Sequence, residues 1–233
     1  MGLDTQSRPS ESPFIERVWR SRSSGVDRMA AIATANWDLV FCERRGRVEV
    51  FVQGPEPAAG PAPVPDGTAF FGITFALGTV MPHLPPGRLV DRGVEIPGAT
   101  RASFPLKGSR WHLPGYGNAE EFVRRLVRED VLVRDPVVAS ALRGEPPGVS
   151  ERTVQRRFVA ATGLTRGTVR QIGRARQAAA LLRDGLPAHE VVHRLGYFDQ
   201  PHLARSLARF VGRTATELGV REPAVPLSLL YKT

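Results

Sequence analysis

A chain of 233 residues with 42% hydrophobic content has room for two modest domains or one large one, each with a buried core. Its single cysteine, Cys42, excludes a disulfide framework and a cysteine-built zinc site. The polar N-terminus and the lack of any apolar run near the ~18 residues that span a bilayer argue for a cytoplasmic protein without a membrane partner.

The net charge of +9 is unevenly placed: residues 150–213 hold 12 Arg against 4 acidic residues, whereas residues 1–110 carry 13 basic and 11 acidic groups. Basic residues concentrated in one segment are the electrostatic footprint of a polyanion binder. Nearly all are Arg, with Lys only at Lys107 and Lys232. A GC-rich coding bias would explain that preference but not the clustering.

Residues 1–12 read as a disordered lead-in. From 14 to about 111 the pattern favours short strands. Leu39-Val40-Phe41-Cys42 and Val48-Glu49-Val50-Phe51-Val52 flank a turn in which Gly46 supplies positive φ, a hairpin signature. Residues 55–67, rich in Pro, Ala and Gly, read as a long loop. Phe70 to Leu77 read as a buried strand, and 89–96 as a further short one. Many short strands between Pro/Gly turns suggest a β-sandwich or barrel. Trp19, Trp37, Phe70, Phe71, Phe75 and Trp111 are core candidates, with lining of a ligand pocket as the alternative.

After Pro114 the period changes. Phe122, Leu126 and Val127 recur at helical spacing in 118–130, and Pro136 opens a second short helix. The boundary falls near 112–118, giving an α+β chain with a β-rich region at 13–115 and an all-α region at 116–220. Residues 221–233 read as an extended tail.

Two helix–turn–helix units are expected in 150–217. Ser150 caps a helix whose face of Val154, Phe158 and Ala161 turns inward, while Arg152, Gln155 and Arg156 share an outer face. Asp199 caps a second helix with Leu203, Leu207 and Phe210 inward and Gln200, His202, Arg205 and Arg209 outward or to the flanks. Gly196 turns the chain after a support helix at 187–195. Arg bonds guanine O6 and N7 in a bidentate fashion and Gln does the same for adenine, so these faces suit a DNA major groove. Arg157, Arg166, Arg170 and Arg209 are candidates for phosphate. Between the units a helix from 165 to 183 would span roughly 27 Å, enough to hold two reading helices near one DNA turn, ~34 Å, apart.

One segment competes. His189-Glu190-Val191-Val192-His193, followed by Gly196 and Asp199, fits a zinc-metalloprotease pattern in which two His at i and i+4 hold the metal. Against it, the Met residues stand at 1, 29 and 81, where no downstream Met turn is possible. Pro187 also opens the helix just before the first His, and the same residues serve the helix–turn–helix. A protein-interaction adaptor with a basic helical face is the other rival. No P-loop, G-x-S-x-G or dinucleotide fingerprint occurs, so no catalytic residue, metal or cofactor is assigned and the chain is read as a non-enzyme.

The ordered set Ser150-x-Arg152-x-x-x-Arg156-x-Phe158-x-x-x-x-Gly163, then Arg174-x-x-x-Ala178-x-x-Leu181-Leu182-x-x-Gly185, then Gly196-Tyr197-x-Asp199-Gln200-x-His202-Leu203-x-Arg205, ending in Gly212-x-Thr214, resembles the DNA-binding domain of AraC/XylS-type transcription regulators. The resemblance covers about half the chain. It implies base contacts by Arg152, Gln155 and Arg156 in the first unit and by Gln200, His202 and Arg205 in the second. It also implies an N-terminal sensor domain, often a cupin-like barrel, that binds an effector or mediates dimerisation. The expected partners are double-stranded DNA, with RNA polymerase, a small-molecule effector and a second copy of the chain as further candidates. Three departures stand out. Val192 occupies a position where the family carries Ala, Ala215 one where it carries Pro, and residues 143–148 lengthen the turn before Ser150.

Overall fold

The computed structural model describes residues 2–25, 28–146, 148–219 and 227–228. Its strands are β1 (Gly2–Pro9), β2 (Ile15–Ser24), β3 (Arg28–Ala31), β4 (Asp38–Arg44), β5 (Arg47–Gln53), β6 (Gly60–Pro63), β7 (Ala69–Phe75), β8 (Thr79–Val80), β9 (Gly93–Glu95), β10 (Ser103–Leu106), β11 (Ser109–His112), β12 (Val133–Arg134) and β13 (Leu227–Ser228). Its helices are α1 (Ala119–Arg128), α2 (Pro136–Arg143), α3 (Glu151–Thr162), α4 (Arg166–Arg183), α5 (Ala188–Leu195), α6 (Gln200–Phe210) and α7 (Ala215–Leu218).

Six strands form an antiparallel sheet in the order β1-β2-β7-β4-β5-β9. The β4–β5 hairpin turns through Arg45 and Gly46, at φ 48° and 76°, with Arg44 opposite Arg47. Positive φ at both central residues is the two-residue turn whose twist matches that of the flanking strands. On β7, Gly72 lies under the indole of Trp19, where an added Cβ would sit 2.1 Å from the ring. Only glycine lets Trp19 lie flat on that strand.

The sheet stays open at its β1 and β9 edges, so the expected alternative of a closed, cupin-like barrel is not what forms among the described residues. A second sheet, β13-β3-β6, faces it across a cavity of about 470 Å³ lined by residues of both, which fits a sandwich. Of the aromatic candidates, Trp19, Trp37, Phe75 and Trp111 are buried. Trp37 stacks on Phe75 at 4.0 Å between centroids and donates its indole N–H to the Thr79 carbonyl. Phe71 stacks on Phe41, and Phe70 alone of the six lines the cavity.

Three expectations change. Residues 1–12 are not a disordered lead-in: β1 pairs with β2 along its full length, and Arg8 anchors it by bonding Glu120 on α1. Backbone pairing and one ion pair hold a segment whose side chains are too polar to announce a strand. Residues 55–67 are not all loop, because β6 pairs with β3. Most consequentially, α1 belongs with the strands. Phe122, Val123 and Leu126, with Val131 and Leu132, pack into the core of Val18, Leu39, Val50 and Ile73. Burial thus carries the β-rich region past the expected boundary at 115, to about β12, which pairs with β8. The tail expected at 221–233 lies outside the described residues, except for Leu227–Ser228, whose backbone pairs in parallel with β3.

A second core joins Ile172, Ala175, Ala179, Leu182, Val191, Leu203, Leu207 and Phe210 of α4, α5 and α6 to Ile32, Ala33 and Ala35 of the β-rich region. The two regions therefore share buried surface. No helix among the described residues is long and apolar enough to cross a membrane.

Candidate nucleic-acid interface

The first unit is α2–α3. Asp135 caps α2, accepting from the amides of Val137 at 2.9 Å and Val138 at 3.1 Å, and Pro136 follows where no helical amide is needed. Ser150 caps α3 through its Oγ, which accepts from the Thr153 amide at 3.3 Å. Gly163 ends α3 at φ 74°, a left-handed cap open to glycine. Val154, Phe158 and Ala161 are buried as the period requires, the last two against Val138. On the opposite face Arg152, Gln155 and Arg156 are exposed and line a shallow depression together with Thr153 and Val159.

The second unit, α5–α6, repeats the plan. Gly196 at φ 66° turns the chain, and the Tyr197 amide returns to the Val192 carbonyl at 3.0 Å. Val192 is buried, so the larger side chain is accommodated. Asp199 caps α6, accepting from the His202 amide at 2.7 Å. Leu203, Leu207 and Phe210 are buried, and Gln200, Arg205 and Arg209 are exposed. After α6 a capping box between Thr214 and Glu217 starts α7, with Ala215 tolerated at the first helical position.

The helix α4, with 18 residues, joins the units: its Ile172, Ala175, Ala178, Ala179 and Leu182 are buried with α5 and α6, and its Val169 packs against Phe158 and Ala161 of α3. Its Arg174 guanidinium lies 4.4 Å over the Tyr197 ring and donates to the Gly196 carbonyl at 3.4 Å, fixing the second turn to the linker. Its Arg176 is largely buried, and desolvation, then the nearby charge of Arg17, lowers its pKa to about 10.

The expected base and phosphate contacts are thus not equivalent. Arg152, Gln155, Arg156, Gln200 and Arg205 lie on open faces. His202 is half-buried: its ring meets Tyr197 edge-on at 5.2 Å and its Nδ1 accepts from the Phe198 amide at 3.4 Å. It is built into the turn. Arg209 is exposed, but its guanidinium rests over Phe210 at 4.9 Å. Arg157, expected at phosphate, instead donates Nε to Asp135 Oδ2 at 2.8 Å, latching α3 to the cap of α2. Arg166 reaches Glu151 at 3.2 Å, and Arg170 is exposed.

Sequence reasoning passed over two further contributors. Phe198, in the turn before α6, is 91% exposed. The β-rich region also grips both outer helices at their C-terminal ends. The amides of Ala33 and Ala59 donate to the carbonyls of Phe210 and Arg209, each at 2.8 Å. The turn through Pro86 and Gly87 abuts α3 so closely that a Cβ on Gly163 would sit 2.5 Å from Val90 Cγ2. Backbone-to-backbone grips carry no side-chain signature and could not be read in advance.

The competing metal pattern takes a different form. His189 and His193 are exposed on α5, and the Asp199 carboxylate is engaged as a helix cap. Among the described residues no three His, Cys, Asp or Glu side chains gather as a metal site. The Cys42 thiol is pushed up to about 12 by burial, then by the charge of Glu49, which disfavours the reactive thiolate.

Residues 147–220 match the family model of a helix-turn-helix domain. No curated protein and no solved structure matches the chain.

Proposed function

We propose, on the premise that residues 147–220 are an AraC/XylS-type DNA-binding domain and the chain a DNA-binding transcription regulator of that type, that it reads two consecutive major-groove segments from one face of the duplex. Arg152, Gln155 and Arg156 contact bases in the first segment, and Gln200 and Arg205 in the second, with His202 and Arg209 at the flank. The observation that carries this reading is the repetition. Each outer helix has a side-chain cap, a buried apolar face and an exposed Arg/Gln face, and both rest on one linker helix. Arg170, exposed on α4, contacts phosphate, whereas Arg157, paired with Asp135, positions α3.

The β-rich region controls this reading. Its cavity is lined by Met29, Ala31, Thr34, Glu56, Pro61 and Ala62 among others. The same stretch of chain supplies Ala33 and Ala59, whose amides hold the end of α6. A small molecule seated there would bear on the second reading helix through two hydrogen bonds. Substitution Ala62→Phe fills the cavity; a changed DNA affinity supports the control, and an unchanged one overturns it.

The reading itself is tested by selecting genomic fragments with purified protein at near-physiological salt and sequencing them. Enrichment of a motif with two sub-sites about one helical turn apart is the expected result. Salt-sensitive binding without a motif would overturn it and favour an adaptor that meets an acidic partner through its basic helices.

A further inference from the structure

The most exposed large apolar side chain among the described residues is Phe198, at 91%; the next, Val149 and the exposed Val159 and Leu142, stand near 42% and 41%. It does not lie on a loop remote from the basic faces. It occupies the turn between Gly196 and the Asp199 cap, two residues before Gln200, at the end of α6 from which a recognition helix presents its first residues to base edges.

The turn that carries it is rigidly built. On one side Tyr197 is buried: its hydroxyl pairs with Ser206 Oγ at 3.1 Å, and Arg174 lies over its ring. On the other side Asp199 is held by the His202 amide. The Phe198 amide is itself bonded to His202 Nδ1. Tyr197 is buried and Asp199 is engaged as the helix cap, while the ring of Phe198 between them projects into solvent. A ring held on such a backbone loses little freedom when a partner covers it. A phenyl ring offers neither donor nor charge for a phosphate. What it fits in a major groove is the one apolar feature there, the C5-methyl of thymine.

We propose that Phe198 is a specificity-determining residue that packs on a thymine methyl in the sub-site read by α6. The inference rests on the DNA-reading function proposed above. It adds an apolar contact to an otherwise polar reading face, so the sub-site contains a thymine at the position that this turn overlies.

The test uses the full-length protein and a selected genomic site in which each thymine is replaced in turn by deoxyuridine, which lacks only the methyl. Wild-type protein is expected to lose about fourfold in affinity at one thymine of the second sub-site, the equivalent of one buried methyl-sized group. Phe198→Ala is expected to bind the thymine site more weakly and to be indifferent to that replacement, with Phe198→Leu keeping part of the response. Because the side chain is exposed, both variants should melt as the wild type does, and the melting curve checks this. Loss of affinity in Phe198→Ala with the deoxyuridine response intact at every thymine would overturn the proposal. So would wild-type indifference to all replacements, which would leave the two-segment reading standing. Failure to select any motif would instead remove the reading on which the proposal rests.

Discussion

Asp135 and Arg157 separate a helix latch from a phosphate contact. Replacing Asp135 by Ala removes two interactions at once. The carboxylate caps α2 through two amides, a feature whose loss costs about 1 kcal/mol. It also pairs with Arg157 at 2.8 Å, with side-chain exposures of 16% and 41%. A pair half-open to solvent contributes about 0.5–1 kcal/mol. Asp135→Ala should therefore lower unfolding stability by about 1.5–2 kcal/mol. Asp135→Asn keeps an equally good cap and forfeits only the charge, so its cost should be about 0.5–1 kcal/mol. Urea unfolding of the single and double variants with Arg157→Ala gives the coupling directly, and it should equal the ion-pair part alone. Equal costs for the Asn and Ala variants would refute the capping argument. The functional half of the reasoning is tested on DNA. If Arg157 is a latch, Arg157→Ala leaves the slope of log affinity against log salt unchanged; a slope shallower by about 1 would make it a phosphate ligand after all.

Three other perturbations probe separate parts of the molecule. Alanine at Arg152 or Arg205 should cost about 1–3 kcal/mol in binding and relax preference at one base position, as read by binding to a panel of single-base variants; a uniform loss across the panel would reduce the residue to a backbone contact. Glu120 is held down to about 2, chiefly by the hydrogen bond from Arg8, against its ordinary 4.5. A depressed carboxylate stabilises the fold above its unfolded pKa and loses that contribution as pH falls, so Glu120→Gln should lower the melting temperature at neutral pH and flatten its decline between about 4.5 and 2. If the wild-type and variant curves stay parallel through that window, the β1–α1 tie is not formed. Gly163→Ala places a Cβ at φ 74° and 2.5 Å from Val90, so it should destabilise the protein by more than the roughly 1–2 kcal/mol of left-handed strain alone. A neutral melting temperature would mean that α3 does not rest on the Pro86–Gly87 turn.

Several of these features could be read from the chain and several could not, and the division follows the range of the interactions. Ser150 and Asp199 cap helices through amides three residues on, and Gly196 ends the support helix in left-handed geometry. Those are local contacts, and helix α4 from Arg166 to Arg183 follows the same way from the spacing of Ile172, Ala175, Ala179 and Leu182. The β4–β5 hairpin was equally legible, because Gly46 sits between two apolar runs of strand length.

What depended on distant partners was hidden. The polar run of β1 carries no burial signal, since its order comes from pairing with β2 and from Arg8 meeting Glu120 across 112 positions. The apolar face of α1 announced a helix but not which core would take it, since Phe122 and Leu126 would suit either. Arg157 looked like its neighbours Arg152 and Arg156 until Asp135 stood 2.8 Å from it. Sequence alone determined the two capped outer helices and their basic faces, because capping and periodicity act within a turn or two of the chain. Only the tertiary structure decided which arginines remain open, that Phe198 projects into solvent, and that backbone amides of Ala33 and Ala59 hold the end of α6. Those outcomes are set by groups that meet only once the chain has folded.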